Sequence, residues 1–233
     1  MRDSLNKEQR TRYQEPRHNQ RPKTKNQRPS SQAESLTHSV IRFSPGFCLI
    51  MSTKLRATIE DLYRVPGKAE IVDGEIVHMS PTGAAPNYAA SEIYISLRAY
   101  DRKNRNGFAV NDNAAFRVDL PNRGSFSPDV AFHTGKWTGM KFFDGAPVFA
   151  VEVRSEGDYG PAAEIQMARK RADYFAAGTL IVWDVNLLSD EIIKCYSADS
   201  PTSPHVYRRG ETANAEPAVP DWSMPVDDLF FEN

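Results

Sequence analysis

The sequence predicts a mixed α/β fold of the α+β kind, and three observations carry this prediction. First, β-branched residues flank Asp73-Gly74 within residues 69–79, and this dipeptide is typical of the two-residue turn of a β-hairpin. Second, residues 87–103 and 161–177 carry apolar side chains at helical spacing. Third, apolar segments bounded by turn residues predict successive strands between these helices, at 108–119, 128–132 and 147–154.

The remaining elements of the body are shorter. Residues 58–61 resemble a helix N-terminus with an acidic first turn, and this short helix is expected to end before Pro66-Gly67. A strand is predicted after the second long helix, followed by a meander and a closing segment that docks on the body. These later segments are 180–185, 192–196, 205–208 and 226–231.

The charge distribution separates a tail from a body. Residues 1–50 hold ten Lys and Arg against four Asp and Glu, a net charge of +6, which leaves −7 for residues 51–233. The Gln, Asn and Pro content of residues 1–50 favours a disordered basic tail, although such a tail could also bind nucleic acid. Met51 resembles a natural start, which leaves open that residues 1–50 are an over-extended reading frame. We therefore expect one folded domain over residues 51–233.

Composition excludes several classes of protein. No run approaches the roughly 20 apolar residues that span a bilayer, and the first 30 residues lack the apolar stretch of a signal peptide, so a cytoplasmic protein is expected. Cys48 and Cys195 are too sparse for a disulfide framework or a zinc site. Phosphate-loop and dinucleotide fingerprints are absent. The histidines lack ligand spacing and are scattered along the chain: His18, His38, His78, His133 and His205.

Two carboxylates lie in the predicted strands, where a lone charge costs several kcal/mol unless a cation compensates it. Asp129 opens one strand, and Glu152 lies near the end of another. Since side chains alternate along a strand, Glu152 and Arg154 share one face, and Asp129 points away from Val130. If the two strands are neighbours, Asp129 and Glu152 converge. Two carboxylates with carbonyls and water are the ligand set of Mg²⁺ or Mn²⁺.

The helix at 161–177 adds a cation to this prediction. Lys170 belongs to a stripe that is otherwise suited to packing, made of Ala163, Met167, Lys170, Tyr174 and Ala177. A competing stripe could be the buried one and leave Lys170 in solvent: Ile165, Ala168, Ala172, Phe175 and Ala176. The acidic residues have simpler alternatives too. Asp129 could bond backbone amides in a turn, and Glu152 with Arg154 could form an ion pair on a half-exposed strand.

These residues, taken in order, resemble a known family. Pro128-Asp129, then residues 152–155, then Lys170, Tyr174 and Gly178 are similar to the Uma-type restriction endonuclease family of the PD-(D/E)XK nuclease superfamily. The resemblance extends over residues 55–232. It implies a restriction-endonuclease-like core with a mixed central sheet flanked by helices, a divalent metal ion, and hydrolysis of phosphodiester bonds in DNA.

The resemblance also implies roles for single residues. Asp129 and Glu152 would be metal ligands, with Glu70 of the hairpin as a further candidate ligand. Lys170 would replace the lysine that most of the superfamily places two residues after the glutamate, and it would orient or deprotonate the nucleophile. Arg154 occupies that strand position here. Because arginine keeps its proton, Arg154 can steady a phosphate but cannot act as a base.

Two functional hypotheses follow from the sequence. The first is a divalent-metal-dependent endonuclease that uses Mg²⁺ or Mn²⁺, acts on DNA and forms a homodimer, since cutting two strands suits two sites. The second is a catalytically inactive relative that keeps the fold as a module binding nucleic acid or a protein partner. The retained acidic residues and Lys170 favour the first hypothesis, whereas the net charge of −7 over residues 51–233 favours the second.

Overall fold

The structure is a computed structural model that describes residues 39–40, 50–51 and 55–231. The chain divides into two compact units, residues 1–53 and residues 54–233. In the first unit, β1 (Ser39–Val40) pairs antiparallel with β2 (Ile50–Met51). The rest of the tail that we predict to be disordered lies outside the described residues.

The second unit contains three α-helices, a 3₁₀ helix and thirteen strands among its described residues. The helices are α1 (Ile59–Leu62), α2 (Ala84–Asn104), α3 (Pro161–Ala176) and the 3₁₀ helix Val226–Leu229. The strands up to α3 are β3 (Ala69–Val72), β4 (Glu75–His78), β5 (Phe108–Asn111), β6 (Phe116–Leu120), β7 (Arg123–Phe126), β8 (Val130–His133), β9 (Phe143–Asp144) and β10 (Phe149–Val153). The strands after α3 are β11 (Ile181–Val185), β12 (Ile193–Ser197), β13 (Ser200–Tyr207), β14 (Thr212–Asn214) and β15 (Ser223–Pro225).

The core of the second unit is a mixed six-stranded sheet in the order β13-β12-β11-β10-β8-β5. Strands β10 and β11 are parallel, and every other neighbouring pair in this sheet is antiparallel. Helix α2 packs on one face through Ala89, Ile93 and Leu97, which join one cluster with Phe149 and Trp183. The mixed sheet flanked by helices confirms the predicted fold class.

A second, five-stranded sheet has the order β4-β3-β7-β6-β9. Its residues Phe116 and Phe126 form one apolar cluster with Ala150 of the central sheet and Tyr174 of α3. The second sheet and α3 therefore cover the face of the central sheet that lies opposite α2. The functional side chains described below lie on this covered face.

Most of the predicted elements are confirmed. The capping box of α1 is present, with Asp61 N donating to Thr58 Oγ1, and the hairpin turn has positive φ at both Asp73 and Gly74. Val226 and Leu229 are buried in the 3₁₀ helix, which docks the closing segment as expected. Among the described residues, no helix combines the length and the apolar character needed to cross a membrane.

The predicted single strand at 108–119 is wrong. Two strands form there instead, and β5 belongs to the six-stranded sheet whereas β6 belongs to the five-stranded sheet. Asn113 has φ of 66°, a left-handed conformation that Asn tolerates better than most residues, and it ends the ladder of β5. The prediction also missed β7, whose Arg123-Gly124 start does not read as a strand. A Cβ added at Gly124 would lie 3.1 Å from Ile71 Cγ2 of the neighbouring strand, so this close approach favours glycine.

His133 makes the stability of the fold sensitive to acid. The ring is buried against Phe116 and Phe143, and burial lowers the pKa of the imidazole. An unfolded chain binds this proton near pH 6.5, so the free energy of unfolding should decrease as the pH falls below about that value. We expect the Tm of the protein to fall more steeply than that of His133→Phe between about pH 7 and pH 5. Parallel Tm profiles for the two proteins would contradict this prediction.

Candidate active site

Asp129 and Glu152 are brought together by the pairing of β8 with β10. Val130 pairs with Val151, which places Asp129, the residue before β8, beside Glu152. The backbone N–H of Asp129 donates to the carbonyl oxygen of Val151 at 3.1 Å, and its Oδ2 accepts from the N–H of Val153 at 2.8 Å. Asp129 is thus fixed to β10 by both its backbone and its side chain. The predicted neighbourhood of the two strands is present.

Lys170 and Tyr174 of α3 both bind Glu152. Lys170 Nζ lies 2.8 Å from Glu152 Oε2, and the Tyr174 hydroxyl donates to Glu152 Oε1 at 2.7 Å. The stripe that contains Lys170 faces inward, whereas Ile165 of the competing stripe is 71% exposed. Because positions four residues apart share one helix face, a single face of α3 supplies both contacts to the carboxylate.

Glu70 is a second carboxylate that binds Lys170, and three donors hold it in place. Its Oε1 accepts from the Ser127 N–H at 2.8 Å and lies 3.0 Å from Lys170 Nζ, while its Oε2 accepts from Arg123 Nη1 at 2.7 Å. Arg123 in turn donates from Nε to Asp173 Oδ2 at 2.7 Å. Glu70 is only 2% exposed. This environment suits a residue that orients Lys170 better than it suits a metal ligand.

The charges of this cluster shift the pKa values of its members. Burial raises the pKa of the Glu152 carboxyl, and Asp129 and Glu70 add to the rise while Lys170 opposes it. Burial alone would lower the pKa of Lys170, but Glu152 and Glu70 outweigh burial and raise that pKa above its ordinary value. Burial would likewise raise the pKa of Glu70, but Lys170 and Arg123 outweigh it and lower that pKa. At neutral pH Lys170 therefore carries its proton and Glu70 is ionised.

Lys68, which the sequence-based prediction missed, contacts one carboxylate of the acidic pair, Asp129 and Glu152. Its Nζ lies 2.7 Å from Asp129 Oδ1 and 2.6 Å from Asp112 Oδ1. Burial alone would lower the pKa of Lys68, but Asp129 and Glu152 outweigh burial and raise it. A signal was present in the sequence, because alternation along an extended segment puts Lys68 on the same face as Glu70.

Arg154 lies in a different cluster. Its Nε and Nη2 donate to the two carboxylate oxygens of Asp184 at 2.7 and 2.8 Å, and its Nη1 and Nη2 donate to Glu164. The side chain of Arg154 is 4% exposed and that of Asp184 is 1% exposed. Arg171 Nη1 also binds Asp184, at 3.1 Å. Arg154 is therefore held by Asp184 and Glu164, and its expected contact with a phosphate stays a prediction.

The donor set at Asp129 and Glu152 fits a hard cation. Each of the four carboxylate oxygens accepts a hydrogen bond from one donor, and a carboxylate oxygen carries two lone pairs, so each retains capacity for a further contact. Oxygen donors of this type are those that Mg²⁺ and Mn²⁺ prefer. Among the described residues, no three His, Cys, Asp or Glu side chains are grouped so that they could hold a metal ion. Any ion would thus take the acidic pair together with backbone carbonyls and water.

The sequence of this chain is similar to that of a known protein family. A family model described as "Uma2: Putative restriction endonuclease" matches residues 59–227, which is most of the chain. The chain belongs to the Uma2 family. This membership confirms the resemblance found in the sequence. A comparison with curated proteins gave no match.

A solved structure supports the fold of this Uma2 protein. It is the crystal structure described as "a putative nuclease belonging to DUF820 from Anabaena variabilis". The match has a TM-score of 0.60 and 14% sequence identity, and it covers 75% of this chain and 97% of that chain. At this identity the match shows a common fold, and the function has to be argued from the site.

Proposed function

We propose that this protein is a divalent-metal-dependent endonuclease that hydrolyses phosphodiester bonds in DNA. The observation that supports the proposal most is the arrangement of Asp129, Glu152 and Lys170, which come from two neighbouring strands and one helix. Their order along the chain is the one that the resemblance noted in the sequence implies, and the matching family model is described as "Putative restriction endonuclease". A carboxylate pair beside a protonated lysine is suited to a reaction in which negative charge develops on a phosphate.

Asp129 and Glu152 would hold the metal ion, Mg²⁺ or Mn²⁺. A bound divalent ion supplies charge neutralisation at the phosphate and makes water a better nucleophile at neutral pH. The chain itself contributes the rigidity of the acidic pair. Asp129 is fixed by the Val153 N–H, and Glu152 is fixed by the Tyr174 hydroxyl. Both side chains are therefore oriented before substrate binds, which removes an ordering cost from the reaction.

Lys170 would act as a fixed positive charge and hydrogen-bond donor, not as the base. A base at neutral pH must lose its proton, and the raised pKa of Lys170 opposes that loss. The contact between Glu70 and Lys170 keeps the ammonium beside Glu152. In the metal-free protein, orienting the nucleophile therefore fits the environment of Lys170 better than deprotonating it.

Glu70 and Arg154 receive positioning roles in this proposal. Glu70 is buried and held by Arg123, the Ser127 N–H and Lys170, so it would orient Lys170 and leave metal binding to the acidic pair. Arg154 would hold Asp184 on β11, the parallel neighbour of β10, and so keep the strand that carries Glu152 in register.

The proposed function predicts metal-dependent nicking of DNA. The full chain incubated with supercoiled plasmid should convert it to open-circular or linear DNA in Mg²⁺ or Mn²⁺. Removing the ion with EDTA should stop the reaction because charge neutralisation at the phosphate is lost. Equal conversion with and without EDTA would overturn the metal dependence.

The alternative is a nuclease fold without activity that binds nucleic acid or a protein partner. The net charge of −7 over residues 51–233 favours this alternative, because DNA binding draws on positive charge. Absence of cleavage in both ions, with the protein folded, would support it. The homodimer also belongs to the proposal, since two sites would allow both strands of a duplex to be cut.

A further inference from the structure

Each carboxylate of the acidic pair has its own lysine, and the two lysines are held differently. Lys170 lies between Glu152 and Glu70, whose side chains are 13% and 3% exposed. Lys68 lies between Asp129 and Asp112, whose side chains are 24% and 46% exposed. Lys170 is therefore enclosed by buried partners, whereas Lys68 has one partner inside the site and one at the surface.

Lys68 binds Oδ1 of Asp129, the carboxylate oxygen that does not bind the backbone of β10. Oδ2 of Asp129 binds the backbone N–H of Val153, so this oxygen is tied to the strand. Oδ1 points to Lys68 Nζ at 2.7 Å. An ammonium thus occupies the oxygen of Asp129 that is not committed to the backbone. A divalent cation at the same oxygen would be close to this ammonium, and like charges repel strongly in a partly buried site.

We propose that Lys68 is an internal cation that binds Asp129 in the metal-free protein and competes with the divalent ion for Oδ1 of Asp129. This inference rests on the proposed function in one respect, because it takes Asp129 as a metal ligand. Lys68 therefore opposes metal binding. It sets the metal concentration at which the site becomes occupied.

Asp112 explains why Lys68 can leave Asp129 without a large penalty. Both carboxylates are within hydrogen-bond distance of the same ammonium, so Lys68 keeps a charged partner when it loses Asp129. The carboxylate of Asp112 lies near the surface, so water can also solvate the ammonium of Lys68 there. Lys170 has no comparable route, because both of its carboxylate partners are buried in the site. The lysine that yields to the metal is therefore Lys68.

A purely structural ion pair would behave differently. In that case Lys68 would hold Asp129 in the geometry that the metal needs, and its removal would weaken metal binding or leave it unchanged. Competition predicts the opposite sign, since removing Lys68 frees Oδ1 and removes the repulsion. The direction of the change in affinity therefore separates the two roles.

The test is calorimetric titration of Mn²⁺ into the full chain without DNA. Lys68→Met should bind Mn²⁺ on the order of tenfold more tightly than the parent, because a unit charge next to the ligand oxygen is removed. Lys68→Gln should change the affinity in the same direction. Lys136→Met is the matched control, because it changes the net charge by the same amount. Lys136 follows the C-terminal end of β8, whereas Asp129 precedes the N-terminal end of this strand. The affinity of Lys136→Met should equal that of the parent, and thermal unfolding should show all four proteins folded.

Two outcomes would overturn the inference, and they differ in what they imply for the proposed function. Equal or weaker Mn²⁺ binding by Lys68→Met, with binding by the parent intact, removes the competition and leaves the metal-dependent nuclease standing. Absence of Mn²⁺ binding from every protein removes both. Tighter binding by Lys136→Met of the same size as that of Lys68→Met would show a general charge effect and would also overturn the inference.

Discussion

Glu152→Gln is expected to abolish DNA cleavage while the protein stays folded. The amide keeps the size of the side chain, and with its oxygen toward Lys170 its N–H can donate to the hydroxyl oxygen of Tyr174. It loses the negative charge that would hold the metal ion. Lys170 keeps Glu70 as a charged partner, so no ammonium is left alone in the site. The change therefore removes chemistry with little effect on the fold.

The expected loss in rate is large. Charge stabilisation by a metal ion is worth several kcal/mol in a transition state, and about 4 kcal/mol corresponds to roughly a thousandfold in rate. Single-turnover cleavage of supercoiled plasmid in Mg²⁺ measures this loss directly. Asp129→Asn should behave in the same way, because its amide oxygen can still accept from the Val153 N–H and Lys68, which then faces the NH2 group, keeps Asp112 as a charged partner.

A carboxylate outside the site provides the control. Asp144 is 69% exposed in an ion pair with Arg117, and Asp144→Asn removes the same charge from the second sheet. Its cleavage rate should equal that of the parent. A normal rate for Glu152→Gln would refute the assignment of the acidic pair, and an equal loss for Asp144→Asn would point to a general effect of net charge.

The acidic pair could be predicted from the sequence because two local rules suffice. Asp129 directly precedes one apolar strand and Glu152 lies in another, and alternation along an extended segment fixes the face of each side chain. For α3 the sequence offered two stripes at helical spacing, and it is the structure that shows the stripe with Lys170 facing inward. Local periodicity thus indicates which side chains share a face of their own element.

Contacts between distant elements could not be predicted in this way. Glu70 is satisfied by Arg123, 53 residues away, and Arg154 by Asp184, 30 residues away. The alternation of side chains along a strand does not indicate which strand is its neighbour. The sequence therefore predicted the face of Arg154 but not its partner. Asp184 nevertheless gave a signal, because it is a lone charge in the apolar strand β11 and such a charge requires a partner.

The partnership of Arg154 with Asp184 leads to the largest expected effect on stability. Arg154→Met should lower the free energy of unfolding by about 3 kcal/mol, because breaking a buried ion pair leaves a charge without compensation. The effect should lie near the lower end of the usual range, since Arg171 still binds Asp184. With an m-value of about 2 kcal/mol per molar urea, the unfolding midpoint should decrease by more than about 1 M.

Arg169→Met is the matched control for this measurement. Arg169 belongs to α3, like Arg171, and its side chain is 49% exposed in a pair with Asp73. Surface pairs contribute little to stability, so the urea midpoint of this variant should stay close to that of the parent. An equal decrease for both variants would show that the loss of any arginine destabilises the domain.

A double variant distinguishes the loss of the ion pair from the loss of side-chain packing at Arg154. Arg154→Met combined with Asp184→Leu removes both charges, and an apolar pair of similar volume can replace a buried ion pair without loss of stability. We expect this variant to recover much of the midpoint lost in Arg154→Met, although Glu164 and Arg171 lose one partner each. The alternative role for Arg154 is a contact with a phosphate of the DNA. In that case Arg154→Met would have the same urea midpoint as the parent and would bind DNA more weakly. Stability and DNA affinity, measured on the same variant, therefore decide between a positioning role and a phosphate contact for Arg154.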